Sequence, residues 1–155
     1  MNNIAICLWF DDNAEEAVNF YLTVFKNSKI LNTAKYSVET PSNKPIGSVM
    51  TIDFELNGQK FIALNWWPFF KFSEAVSFVI YCNDQKEIDY YYEKLSSIKE
   101  AEMCGWLKDK FGVSWQLVTP DIDEMMTWKN AEKVMSELLK MKRIDVNKLR
   151  ELSKE

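Results

Sequence analysis

The 155-residue chain contains no histidine. That excludes imidazole as a metal ligand, a general base or a pH sensor, and with it every histidine-dependent triad and zinc motif. Glycine is scarce too, at four residues, which leaves no room for a glycine-rich turn between strand and helix to cradle a nucleotide. The alternating βα pattern of a doubly wound cofactor fold is also missing. Three cysteines, Cys7, Cys82 and Cys104, form no CxxC pair and leave an odd one. They fit a reduced, cytoplasmic thiol inventory better than a disulfide framework or a structural zinc site. No basic leader precedes the first apolar run, and the uncharged stretch 61–70 is too short to span a bilayer, so a soluble protein without membrane contact is expected. Nineteen basic against 23 acidic side chains give a net charge of −4, which argues against the broad basic face that nucleic acids need.

The chain is rich in aromatics: ten Phe, six Tyr and six Trp supply a sizeable core and leave aromatic surface for a pocket or partner. Ile4 to Phe10 reads as a buried strand ending at an Asp11-Asp12-Asn13 helix cap, and Ala14 to Phe25 carries apolar residues at helical spacing. The pairs Asp11-Asp12 and Glu15-Glu16 are cap and first-turn electrostatics rather than catalytic dyads. Strands are expected near Lys29–Tyr36, Gly47–Leu56 and Lys60–Asn65, the last two joined by an Asn57-Gly58 hairpin, with a polar loop at 39–45. The pattern restarts with a strand at Ala75–Cys82, an Asn83-Asp84 cap and a helix at Gln85–Leu95. A shift of 70 residues sets Asn13 on Asn83 and Tyr21 on Tyr91, and Gly58-x-x-Phe61 echoes Gly112-x-x-Trp115. These echoes predict an internal βαβββ duplication. After Pro120, helices are expected at Asp121–Trp128, Ala131–Met141 and Val146–Leu152. Residues 140–155 carry six basic and three acidic side chains and read as a solvated helical appendage docked on the sheet, or as a partner-binding tail.

The segments CLWFDDNAEEAVNFY, ALNWWPFFKFSEAVSFVIYCNDQKEIDYYYEKL, CGWLKDKFGVSWQLV and MKRIDVNKL resemble the PhnB-like branch of the vicinal-oxygen-chelate superfamily. That superfamily includes glyoxalase I, bleomycin-resistance proteins and extradiol dioxygenases, and the branch is often described as 3-demethylubiquinone-9 3-methyltransferase. The resemblance implies an α+β fold in which two βαβββ modules, 1–70 and 71–120, form an open, cleft-bearing curved sheet followed by C-terminal helices at 121–155, one compact domain overall, commonly within a homodimer. It maps the superfamily's four metal-ligand positions onto Ala5, Ile62, Ala75 and Gln116. Three of those side chains have no donor atom and Gln116 is neutral, so no metal and no other cofactor is expected.

Strand alternation places Ala5, Cys7 and Trp9, Ala75, Ser77 and Val79, Ile62, Leu64 and Trp66, and Gln116 and Val118 along the cleft, with Trp9, Trp66 and Trp106 as rings that could stack on a planar group. This surface suits a small, partly aromatic or hydrophobic molecule fixed by a few hydrogen bonds. Cys7 reads as a small buried hydrophobe, since no base is at hand to activate it, and Ser77 as a packing residue. Gln116 reads equally as a ligand contact or a structural hydrogen-bonder. Asp109, between Lys108 and Lys110, reads as a loop charge. Three functions follow as expectations: metal-free binding of a small molecule, cofactor-free catalysis through Cys7 or Gln116, or an interaction module working through the C-terminal helices, whose removal at 143–155 would leave the fold intact. Whether the protein is an enzyme stays open at this level.

Overall fold

The computed structural model describes residues 4–127 and 129–154. The chain divides into two compact units, one running through Lys71 and the other starting at Phe72.

The first unit contains β1 (Ile6–Phe10), α1 (Ala14–Val24), β2 (Ser28–Lys35), β3 (Val49–Leu56) and β4 (Gln59–Asn65). Its sheet runs β1-β4-β3-β2, with β1 and β4 parallel and the other pairs antiparallel. The crossover through α1 returns the chain to the end where it began, which is what a parallel restart requires. One sheet face is buried: α1 lays Ala17, Val18, Tyr21 and Val24 against it, the Tyr21 ring stacks 6.4 Å from Phe54, and Phe54 stacks 5.2 Å from Phe61. Each of the large apolar side chains contributes ~1.5–3 kcal/mol by leaving water. Asn57 and Gly58, at φ 48° and 85°, form the expected two-residue hairpin. The expected cap at Asn13 differs: its side chain makes no capping bond. Buried Asn65 does so from the end of β4, its Oδ1 accepting from Ala14 N at 2.9 Å while its Nδ2 donates to Val49 O at 3.1 Å.

The second unit contains β5 (Phe78–Tyr81), α2 (Gln85–Leu95), β6 (Trp106–Lys108) and β7 (Ser114–Val118), then α3 (Ile122–Met125), α4 (Ala131–Leu138) and α5 (Val146–Lys154). Its sheet runs β5-β7-β6, with first and last strands again parallel. Asp84 caps α2 as expected, accepting from Glu87 N at 3.0 Å while Glu87 accepts from Asn83 N at 2.7 Å. Where a further strand was expected, residues 99–101 form a 3-10 turn, and the segment meets β6 through Ser97 N to Lys108 O (2.9 Å) and the Met103–Trp106 bridge. Glu102 explains the detour: its carboxylate is buried and takes hydrogen bonds from Ser96 Oγ at 2.6 Å and Lys99 Nζ at 2.8 Å. An extended strand would alternate these residues on opposite faces; a turn gathers them. β5 begins at Phe78 rather than Ala75 because residues 73–76 form a turn, closed by Val76 N on Ser73 O.

The C-terminal segment is docked, and more deeply than a solvated appendage would be. Ile144, Val146 and Leu149 are each about 1% exposed. The turn Met103–Trp106 has left-handed Cys104 (φ 52°) and Gly105 (φ 85°) at its centre, and their N–H groups donate to Met141 O and Lys142 O at 2.7 and 2.9 Å. A Cβ on Gly105 would lie 2.5 Å from Leu117 O and 2.9 Å from Ile144 Cδ1, so only glycine lets the tail seat here. Gln85 clasps the same segment, donating to Ile144 O at 3.0 Å and accepting from Val146 N at 2.9 Å. Arg150 forms a bidentate pair with Asp121 at 2.8 and 3.1 Å. Removing 143–155 would therefore open the core of this unit. Among the described residues no helix is long and apolar enough to cross a membrane. The helix expected to reach Trp128 ends at Met125, and Trp128 itself lies outside the described residues.

Candidate functional site

Both sheets bury one face and leave the other open, and register fixes what each open face presents. In the second unit Val79 pairs with Gln116 and Tyr81 with Val118, while β6 sets Trp106 opposite Gln116 and Lys108 opposite Ser114. Paired residues share a face, and stepping back two residues along β5 and β7 puts Ser77 level with Ser114. Three rows result: Ser77–Ser114–Lys108, then Val79–Gln116–Trp106, then Tyr81–Val118. Trp115 and Leu117, between them, point into the core.

Gln116 is the ordered polar group of this face. Its Nε2 donates to Ser77 Oγ at 2.8 Å, so the Ser77 hydroxyl fixes the amide and is more than packing. The amide carbonyl accepts nothing among the described residues. The 70-residue shift would set Ser77 opposite Gln116; the register is slipped by two residues, which keeps every side chain on its face and makes the Ser77 contact diagonal. The hairpin carrying Trp106 and Gln116 is held by Asp109, which lies in its loop as expected but as a fully buried carboxylate. Its Oδ1 accepts from Phe111 N (2.9 Å) and Val113 N (3.0 Å), and its Oδ2 from Trp115 Nε1 (2.9 Å).

In the first unit the open face carries Cys7–Ile62–Asp53 in one row and Trp9–Leu64–Thr51 in the next. Cys7 is exposed, not buried as expected, because it lies on the face that α1 does not cover. Its sulfur still packs against neighbours, and that partial burial pushes the thiol pKa up, away from a nucleophilic thiolate. Trp9 is committed locally: its Nε1 donates to Trp67 O at 2.7 Å, and Phe70 meets its ring edge-on at 5.1 Å. Trp66 lies 6.1 Å from Tyr36. Asp53 was missed by sequence reasoning. The signal was the alternation Thr51-Ile52-Asp53-Phe54-Glu55-Leu56, which puts the three polar residues on one face.

Ala5 and Ala75 lie ahead of β1 and β5, Ile62 faces Cys7, and Gln116 faces Val79. Three hydrocarbon side chains and one neutral amide do not fit a divalent ion. Among the described residues no three His, Cys, Asp or Glu side chains cluster anywhere to replace them. Two concavities lie away from these faces: one of 660 Å³ within the loop 39–46, and a groove of 490 Å³ along α4 lined by Met126, Met135 and Leu139. Neither includes a residue singled out from the sequence, and the loop cavity is walled by a single segment.

Residues 2–118 match the family described as 3-demethylubiquinone-9 3-methyltransferase. Among solved structures, the putative 3-demethylubiquinone-9 3-methyltransferase, PhnB protein, from Bacillus cereus is 35% identical over 76% of this chain and 99% of its own, with a TM-score of 0.63. Protein PA1353 from Pseudomonas aeruginosa shares the fold at 16% identity over 77% of this chain and 98% of its own, TM-score 0.58. So does the fosfomycin resistance protein FosX from Listeria monocytogenes, complexed with Mn(II) and sulfate, at 12% identity over 81% and 96%, TM-score 0.51. No curated protein matches the chain. With its α+β fold, its two sheets and a family match spanning most of its length, the chain belongs to the PhnB-like 3-demethylubiquinone-9 3-methyltransferase family.

Proposed function

We propose that the open face of the second sheet binds a small, planar, partly aromatic molecule without a metal. The observation that carries this reading is Gln116: an amide held by Ser77 at 2.8 Å, flanked in its row by Val79 and Trp106, with its carbonyl turned to no protein donor among the described residues. A ligand N–H meets that carbonyl, and the Trp106 ring offers a stacking surface beside it. The homodimer implied by the superfamily resemblance belongs to the same reading.

The methyl transfer in the family's description implies a nucleotide-bearing methyl donor, and the residues present do not fit one. The strand-to-helix turns read Asp11-Asp12-Asn13 and Cys82-Asn83-Asp84, without glycine. All four glycines sit elsewhere, at left-handed turn positions. No base activates Cys7 and its thiol pKa is raised, which favours binding over covalent catalysis.

The test is a thermal-shift screen of planar aromatic amides and heteroaromatics against the wild type and Gln116→Leu. Ligands that raise the wild-type Tm and not that of the variant support the reading. A library that moves neither, or both equally, overturns it.

A further inference from the structure

Glu74 lies in the turn leading into β5, and Lys108 lies on β6. Their ion pair, 2.5 Å long, joins the turn ahead of β5 to the outer strand β6. Lys108 belongs to the row Ser77–Ser114–Lys108. Ser114 Oγ is buried and has no hydrogen-bond partner, while Ser114 as a whole is 1% exposed. An exposed turn residue has thus placed a carboxylate on a lysine whose side chain is only 17% exposed, and the register partner of that lysine, Ser114, keeps a buried hydroxyl without an acceptor. Such a hydroxyl is costly to leave unmade.

We infer that the Glu74 carboxylate is an internal stand-in for a ligand carboxylate, and that the site takes a small aromatic carboxylate. This rests on the binding face proposed above and names its ligand class. The aromatic body lies over the Val79–Gln116–Trp106 row. The acid group exchanges for Glu74 on Lys108, within reach of the Ser77 and Ser114 hydroxyls one row away. Glu74 is well placed to leave: its side chain is 61% exposed, so water receives the displaced charge. A carboxylate is favoured over a dianion because Lys108 supplies one positive charge, to which the two hydroxyls add hydrogen bonds but no charge.

The experiment is a ligand-observed NMR titration of benzoate, neutral benzamide and phenyl phosphate against wild type, Glu74→Gln and Lys108→Met, with melting curves confirming that each variant folds. Glu74→Gln, at an exposed turn position, removes the competitor and is expected to tighten benzoate about tenfold while leaving benzamide unchanged. Lys108→Met is expected to erase the preference for benzoate over benzamide. Benzoate and benzamide binding alike in both wild type and Glu74→Gln would overturn the carboxylate assignment yet leave aromatic binding standing. Phenyl phosphate outcompeting benzoate would overturn it too. If no aromatic probe binds any folded form, the face itself is wrong and this inference falls with it.

Discussion

Asp109 is the side chain on which the geometry of the proposed face depends most directly. It is fully buried and accepts three N–H donors, two backbone and one indole, at 2.9–3.0 Å. Hydrogen bonds to a charged acceptor contribute ~1.5–3 kcal/mol each, and a buried donor left without a partner costs ~1–3 kcal/mol. Three such losses do not add, because the emptied site relaxes and admits water. Asp109→Ala is therefore expected to cost about 4 kcal/mol. Asp109→Asn keeps one oxygen for the two backbone amides but turns an NH2 group towards the Trp115 Nε1–H, and should cost about 2 kcal/mol. Trp115→Phe removes the donor that the asparagine cannot satisfy, so the double mutant should recover about 1–2 kcal/mol relative to the sum of the singles. Urea unfolding followed by far-UV circular dichroism measures all four forms, with stability read from midpoints at constant m-value. If Asp109→Ala costs less than about 1 kcal/mol, or the cycle shows no coupling, the carboxylate does not organise this hairpin and the reasoning fails.

Truncation at residue 142 removes Ile144, Val146 and Leu149, all buried, and should abolish cooperative unfolding of the second unit while the first retains its transition; a full-length-like melt would contradict the packing. Burial pushes the Glu102 carboxyl up, but hydrogen bonds from Lys99, Ser96 and Tyr92 outweigh it and hold the pKa at about 2. Because the folded value is depressed, the stability Glu102 adds is complete above its ordinary range near 4.5 and is lost as pH falls towards 2. Glu102→Gln should flatten the acid limb of a stability–pH curve across that window. Burial first, then the Glu87 and Asp84 carboxylates, push the Cys82 thiol up to about 12. Iodoacetamide at pH 8 should spare Cys82 until the protein unfolds while labelling exposed Cys7 slowly, and peptide mass mapping separates the two.

The parts of this fold that were legible in the sequence are those whose cause is local. The Asn57-Gly58 hairpin needs two left-handed residues in a row, and the Asp84–Glu87 capping box lies within four residues, so both can be read directly. Alternation put Ser77 and Gln116 on one face, where they meet, whereas the place of Trp106 opposite Gln116 depends on the β6–β7 register. The misreadings share a non-local origin. Ile144 and Val146 sit among charges in Met-Lys-Arg-Ile-Asp-Val-Asn-Lys, and nothing nearby in the chain announces that Gln85 and the 103–106 turn receive them. Asp109 was legible as a loop residue between lysines but not as a buried acceptor, because its third donor, the Trp115 indole, arrives only once the hairpin closes. Cys7 looked buried because its strand is apolar throughout, whereas only one of that strand's two faces is covered by α1.

The left-handed turn at Cys104–Gly105 also orders events during synthesis. Its two amides point at carbonyls that lie some 37 residues downstream, so a nascent chain that has made β5, α2, β6 and β7 still has an open socket in its second half. The first unit ends at Lys71, so all of it is synthesised before those carbonyls. Between those moments the growing polypeptide holds one finished half and one with unfilled apolar surface, which is the interval in which a chaperone would have something to grip.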